Sequence, residues 1–208
     1  MALTIVTLPL ALFSAAPAWA ETPAAPADPF GPYLEQCRLA EVCNGTYLVA
    51  RKGKPIHRAV IGDAGDPDRT PLTMDSQFDI GSISKQFTAV AILRLARQNR
   101  LALADPVARH LPAFPYPDIT VAHLLSHTSG MPDVLSHYSA LIRSGQVTAP
   151  LDGSDIVTVL AEGNRPAVIA PGTKYAYNNS GYLVLAALVE ARTGETFADH
   201  LQRTLFKP

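Results

Sequence analysis

Cysteine, one-sided charge and long apolar runs are all scarce in this chain, and each scarcity excludes something. Seventeen basic side chains face eighteen acidic ones with no block of either sign. The chain therefore carries no electrostatic footprint for nucleic acid or anionic lipid, and a small or weakly charged molecule is the expected partner. After the first twenty residues no run is long and apolar enough to span a bilayer. With only two cysteines, metal binding by cysteine alone is not expected. No repeat of fixed period is present, and the one biased segment is a Pro/Ala stretch near the start.

What is there begins with MALTIVTLPLALFSAAPAWA, twenty residues without a charged side chain that close on Ala18-Trp19-Ala20. A short apolar run ending in a small-x-small pattern reads as a cleaved export signal, which places the mature chain in the periplasm or outside the cell. Pro9 and Pro17 interrupt the run, which argues against a permanent membrane anchor. Residues 21–32, ETPAAPADPFGP, hold four prolines and little that can build a core, so they read as an extended tether. Residues 33–208 remain as the folded body, enough for one domain with a sizeable core.

The two cysteines, Cys37 and Cys43, lie in LEQCRLAEVCNG. An exported chain with an even count favours a disulfide between them, provided that a helix ends before Cys43. The alternative is two buried thiols on a helix that runs straight past both.

A short helix, YLEQCRLAEV, precedes GTYLVA and PIHRAVIG, two β-rich runs joined by a turn at RKGK, which read as a hairpin. The period then changes to helical from Ser82 to about Gln98. Further helices are expected at 120–127, 133–143, 154–162, 181–193 and 196–206, with Gly163 and Gly194 as left-handed stops.

Ser82 and Lys85 stand one helical turn apart at the entrance of the first apolar helix. At this spacing an ammonium sits beside a hydroxyl, and free N–H groups at a helix start favour negative charge there. A serine hydroxyl is a poor nucleophile unless a neighbouring base or cation activates it, and lysine can serve as either. The plainer reading is a serine cap and a solvated lysine.

A second element, KYAYNNSGY at 174–182, places Tyr177 and Asn179 on a loop before another apolar helix. A phenol is too weak an acid to be a base near neutrality unless a cation such as Lys85 stabilises its phenolate. The plainer readings are a core tyrosine and an Asn179 helix cap. Ser-x-x-Lys arises by chance roughly 0.26 times in a chain of this composition and Tyr-x-Asn roughly 0.17 times, so their joint presence favours chemistry.

With these two elements, and with GTYLVARKGKPI, LALADPVARHLPAF and ITVAHLLSHTSGMPD in the same order, the chain resembles the serine β-lactamase and DD-peptidase superfamily, specifically its class C-like branch. That branch also holds esterases and D-aminopeptidases. The resemblance implies an α+β, β-lactamase/DD-peptidase-like fold: an antiparallel sheet flanked by helices, plus an all-helical subdomain. It implies that Ser82 is the acylated nucleophile, Lys85 its activator and electrostatic support, and Tyr177 the general base that shuttles the proton to the leaving group. Asn179 would donate to Lys85 and to the substrate's amide, and the Ser82 N–H would form half of an oxyanion hole. No cofactor is implied.

His123 and His127 stand i, i+4 and can in principle share a metal, but no glutamate follows the first and no third ligand is evident. Buried or capping histidines are expected, and His127 is assigned no catalytic role. The family's third motif, Lys or His two residues before Gly on a strand that closes the pocket, has no counterpart here, and Lys207 is followed only by Pro208. The expectation is therefore a partial domain lacking the C-terminal strands and helix, with activity reduced by about 100- to 1,000-fold for a lost oxyanion donor.

Two functions follow. One is a serine hydrolase that forms an acyl-enzyme on a β-lactam, a D-Ala-type peptide or a small ester. The other is a non-catalytic envelope protein that binds peptidoglycan fragments or a protein partner.

Overall fold

The computed structural model describes residues 30–145, 153–163 and 165–207. The expected leader and residues 21–29 of the tether lie outside them. The chain is α+β and divides into two compact units, one ending at Phe78 and the other beginning at Asp79.

In the first unit, α1 (Phe30–Leu39) packs on a hairpin of β1 (Gly45–Arg51) and β2 (Lys54–Ile61). Helix α1 begins three residues before Tyr33, so 30–32 belong to the folded body and not to a tether. The Phe30 ring lies 6.0 Å from that of His57, and Pro32 occupies the first turn, where its missing N–H costs no helical bond. The helix stops at Leu39, and Glu41 takes a left-handed φ of 53°. This turn brings Cys43 back to a Cα–Cα distance of 5.3 Å from Cys37, to which it is disulfide-bonded.

The strands pair antiparallel from Gly45↔Ile61 to Arg51↔Lys54, with an irregularity between Val49 and Ala50 opposite Pro55. Proline at a strand's start is tolerated there because the ladder is already broken. Lys52 and Gly53 both have positive φ, 50° and 74°, the pattern of the tight turn that matches strand twist. Among the described residues the sheet has these two strands.

The second unit is helical: α2 (Lys85–Arg97), α3 (Val121–Leu125), α4 (Val134–Arg143), α5 (Gly153–Glu162), α6 (Ser180–Thr193) and α7 (Phe197–Leu201). Helix α6 is its axis. From Val184 to Val189 every residue is apolar and buried, and a helix apolar all round must be enclosed by others. Helices α2, α3, α5 and α7 enclose it. Each of its wholly buried Val and Leu side chains contributes about 1.5 to 3 kcal/mol.

Three local expectations are corrected. Residues 81–84 form a tighter 3-10 turn, with α2 starting only at Lys85, because Gly81 takes a φ of 50° and its N–H turns back to Asp79. Gly194 is left-handed at the end of α6, whereas Gly163 after α5 has no positive φ. The last helix widens into a π turn over 202–206 after α7.

Candidate active site

Ser82 is fixed by the turn that carries it. The Asp79 carboxylate accepts the Gly81 N–H at 2.7 Å, and Ser84 Oγ donates to the Gly81 carbonyl at 2.6 Å. Lys85 opens α2 one turn later, and its Nζ donates to Ser82 Oγ at 3.1 Å. From 95 residues further along the chain, the Tyr177 hydroxyl reaches the same Oγ at 2.6 Å. Lys85 Nζ also donates to Asn179 Oδ1 at 2.9 Å and stands 5.0 Å from the centre of the Tyr177 ring. All four residues singled out by the sequence therefore meet at one point, each from a helix start or the loop before one.

One role is corrected. Asn179 accepts from Lys85 rather than donating to it, because an ammonium has donors only. Nor does Asn179 cap α6: its backbone is already helical and its side chain makes no capping bond. The Asp133 carboxylate does that work from another loop, accepting the N–H groups of Asn179 and Ser180, each at 3.2 Å.

The segment 174–179 is held by the loop between α3 and α4. Ala176 N donates to the His127 carbonyl at 2.8 Å, Asn178 N to His127 Nδ1 at 3.2 Å, and Asn178 Nδ2 to the Met131 carbonyl at 2.8 Å. Val168 N donates to the Gly130 carbonyl at 2.9 Å, and Gly130 has a φ of 67°. A Cβ there would fall 2.0 Å from the Ile169 carbonyl oxygen, so only glycine fits. The His127 ring lies 4.5 Å from that of Tyr177 and 5.1 Å from that of Tyr182, so it backs the phenol without touching Ser82. His123 instead completes a capping box with Thr120 at the start of α3. Sequence reasoning missed Asp133, and it left His127 without any role. The acid just before an apolar helical run was a visible sign of a cap, but the run it caps most extensively starts 47 residues later.

The electrostatics follow from these contacts. Hydrogen bonds from Lys85 and then Ser82 hold the Tyr177 phenol below its ordinary value, so the phenolate is easier to form. Burial, and then the charge of Lys85, pushes His127 below its ordinary value and favours the neutral ring. Burial pushes Asp133 up, but hydrogen bonds from Ser180 and Asn179 outweigh it and keep the carboxyl low. Tyr182 is raised by burial and donates to the Leu125 carbonyl at 3.0 Å. A cavity of about 810 Å³ opens on Ser82, Lys85 and Asn179 and continues past Leu183 to Glu190 and Phe197. Among the described residues no three His, Cys, Asp or Glu side chains are grouped to hold a metal ion.

The chain that brings a serine hydroxyl against both a cation and a phenol is similar to known proteins. The family model described as Beta-lactamase matches residues 36–208. A penicillin-binding protein of Bacillus subtilis (strain 168) is 35% identical over 165 residues, covering 79% of this chain and 36% of that protein. Esterase EstB of Burkholderia gladioli is 33% identical over 177 residues, covering 77% of this chain and 44% of the esterase. The crystal structure of a penicillin binding protein from Bacillus halodurans superposes with a TM-score of 0.73 at 30% identity, covering 84% of this chain and 53% of that one. The chain thus spans about a third to a half of the length of these relatives.

Proposed function

The chain belongs to the Beta-lactamase family, and on that premise we propose that it carries the acylation machinery of a serine hydrolase. Ser82 Oγ attacks a carbonyl carbon while Tyr177, as phenolate, takes the hydroxyl proton across the 2.6 Å contact. That attack forms the C–O bond to Ser82 and a tetrahedral intermediate; as the intermediate collapses, the bond to the leaving group breaks and the leaving group departs with the proton from Tyr177. Water then attacks the acyl-enzyme and gives a proton to Tyr177; the bond to Ser82 Oγ breaks, Oγ takes that proton from Tyr177, and the acid is released. Lys85 supplies the positive charge that steadies both the phenolate and the serine oxygen. The Ser82 N–H serves as one oxyanion donor, acting on charge that appears only in the transition state.

The observation that carries this reading is Ser82 Oγ within hydrogen-bond reach of both a phenol and an ammonium. The substrate class is a β-lactam, a D-Ala-type peptide or a small ester, in line with relatives named as penicillin-binding protein and esterase. Export to the periplasm or beyond rests on residues 1–20. A protein that only bound peptidoglycan fragments would have no physical need for this three-way contact.

The test is covalent labelling of the 208-residue chain with a fluorescent penicillin and with a fluorophosphonate. Label at Ser82 that disappears in Ser82→Ala supports acylation. Label that persists in Ser82→Ala, or binding of cell-wall fragments with no label in the folded protein, sinks it.

A further inference from the structure

The contacts of Lys85 depend on which way the Asn179 amide faces, and a second neighbour besides Lys85 bears on that choice. The amide has one accepting end and one donating end. Its Oδ1 meets Lys85 Nζ at 2.9 Å, and its Nδ2 meets Asp133 Oδ2 at 3.2 Å. An ammonium can only donate and an ionised carboxylate can only accept, so a single orientation of Asn179 satisfies both neighbours.

Asp133 is itself firmly placed. Its Oδ2 accepts Asn179 N at 3.2 Å, while Oδ1 accepts Ser180 N at 3.2 Å, Ser180 Oγ at 2.8 Å and Leu135 N at 3.3 Å. Ser180 Oγ in turn accepts Leu135 N at 3.0 Å, tying the starts of α4 and α6 together. A negative group at two helix starts is favoured by the free N–H groups there.

We propose that Asp133 is a positioning residue for acylation: its carboxylate locks the Asn179 amide with Oδ1 toward Lys85, and so holds the ammonium between Ser82 and Tyr177. This rests on the acylation reading above. With asparagine at 133 the neighbour gains a donor, and the reversed Asn179 amide becomes tolerable there. Reversal turns an NH2 toward the ammonium, donor against donor, and the ammonium moves away from the phenol.

The field of Asp133 acts in the opposite sense. A nearby negative charge discourages a phenolate, so removing the charge alone would make Tyr177 easier to deprotonate. The two roles therefore give opposite signs in one measurement.

The Tyr177 titration is read by ultraviolet absorbance as the difference between each protein and the same protein carrying Tyr177→Phe, which needs no turnover. In Asp133→Asn the midpoint is expected to rise, and the labelling rate to fall by roughly 10- to 100-fold, the scale of a slight misplacement. Asp133→Asn combined with Asn179→Ala should lose no more rate than Asn179→Ala alone. Ser180→Ala, which weakens the tie between α4 and α6 but leaves Asn179 its carboxylate, should lower thermal stability without moving the midpoint. A midpoint that falls or stays put in Asp133→Asn, or losses that simply add in the double variant, overturn the proposal.

If Asp133→Asn does not fold, the Asn179 side-chain NH2 of the wild-type chain is followed by 15N NMR as pH falls. It should shift together with the Asp133 carboxyl, and a resonance indifferent to that titration overturns the proposal. Absence of label on the wild type with the titration behaviour intact would strike the acylation reading and leave the Asp133 contact standing.

Discussion

The Tyr177 hydroxyl and Ser82 Oγ are 2.6 Å apart although 95 residues separate them, and Lys85 Nζ donates to the same serine oxygen. Proton transfer at that distance needs no rearrangement of either side chain. The ammonium bears on both oxygens, since its Nζ also lies 5.0 Å from the centre of the Tyr177 ring.

Removing the base should therefore cost more than removing a binding contact. Tyr177→Phe is expected to slow labelling of Ser82 by about 100- to 10,000-fold while leaving the thermal midpoint nearly unchanged, because the phenol is half exposed and bears on no core packing. Stopped-flow or gel-based labelling rates decide it. A variant that labels at the wild-type rate would show that some other group takes the proton.

The labelling rate should rise with pH along a limb whose midpoint lies below 10, the ordinary phenol value, since hydrogen bonds from Lys85 and Ser82 depress Tyr177. Below that midpoint the phenol keeps its proton and cannot accept another. In Lys85→Ala the limb should move to higher pH. A limb that stays in place in this variant would mean that Lys85 does not set the basicity of Tyr177.

His127 should make the second unit sensitive to mild acid. Its proton affinity is lowered in the folded state by burial and by Lys85, so the unfolded chain takes up the proton first, near its ordinary value of 6.5. Its stabilising contribution is complete above that pH and is lost as pH falls through the lower folded value. Urea unfolding at pH 7.5 and 5.5 should therefore show a larger loss for the wild type than for His127→Phe, which keeps a ring against Tyr177 but cannot titrate. Equal losses would remove His127 from the account.

Gly130→Ala should destabilise the second unit by about 3 kcal/mol or more, because strain at positive φ adds to a clash with the Ile169 carbonyl. Since the Gly130 carbonyl also anchors the segment leading to Tyr177, labelling should slow as well. Thermal unfolding and labelling rate, measured on one sample, check both.

In the first unit, replacing Cys37 and Cys43 by alanine should lower stability by about 2 kcal/mol, the loop-closure value for so short a ring. Native-state hydrogen exchange in β1 and β2 should register the loss. Unchanged protection there would mean that α1 and the hairpin hold without the bridge.

The four side chains that meet at Ser82 were legible in the sequence because each declares itself locally: a serine and a lysine one turn apart, and a tyrosine and an asparagine just before an apolar helix. The order of helices was legible for the same reason, since an apolar period survives without neighbours. Asp133 was not, because its partners Asn179 and Ser180 are 46 and 47 residues away and its own surroundings suggest only a cap for α4. Asn179 looked like a cap by position, yet tertiary contacts gave the capping to Asp133 and freed the amide for Lys85. The start of α2 at Lys85 rather than Ser82 depends on the φ of Gly81, which the residue permits but does not dictate.

Ser82, Lys85, Tyr177, Asn179 and Asp133 all belong to the unit that begins at Asp79. A hydrogen-bonded cluster built within one unit of a chain can persist while other segments diverge. Relatives named for penicillin and for esters can then differ in the walls around such a cluster while the cluster itself stays as it is.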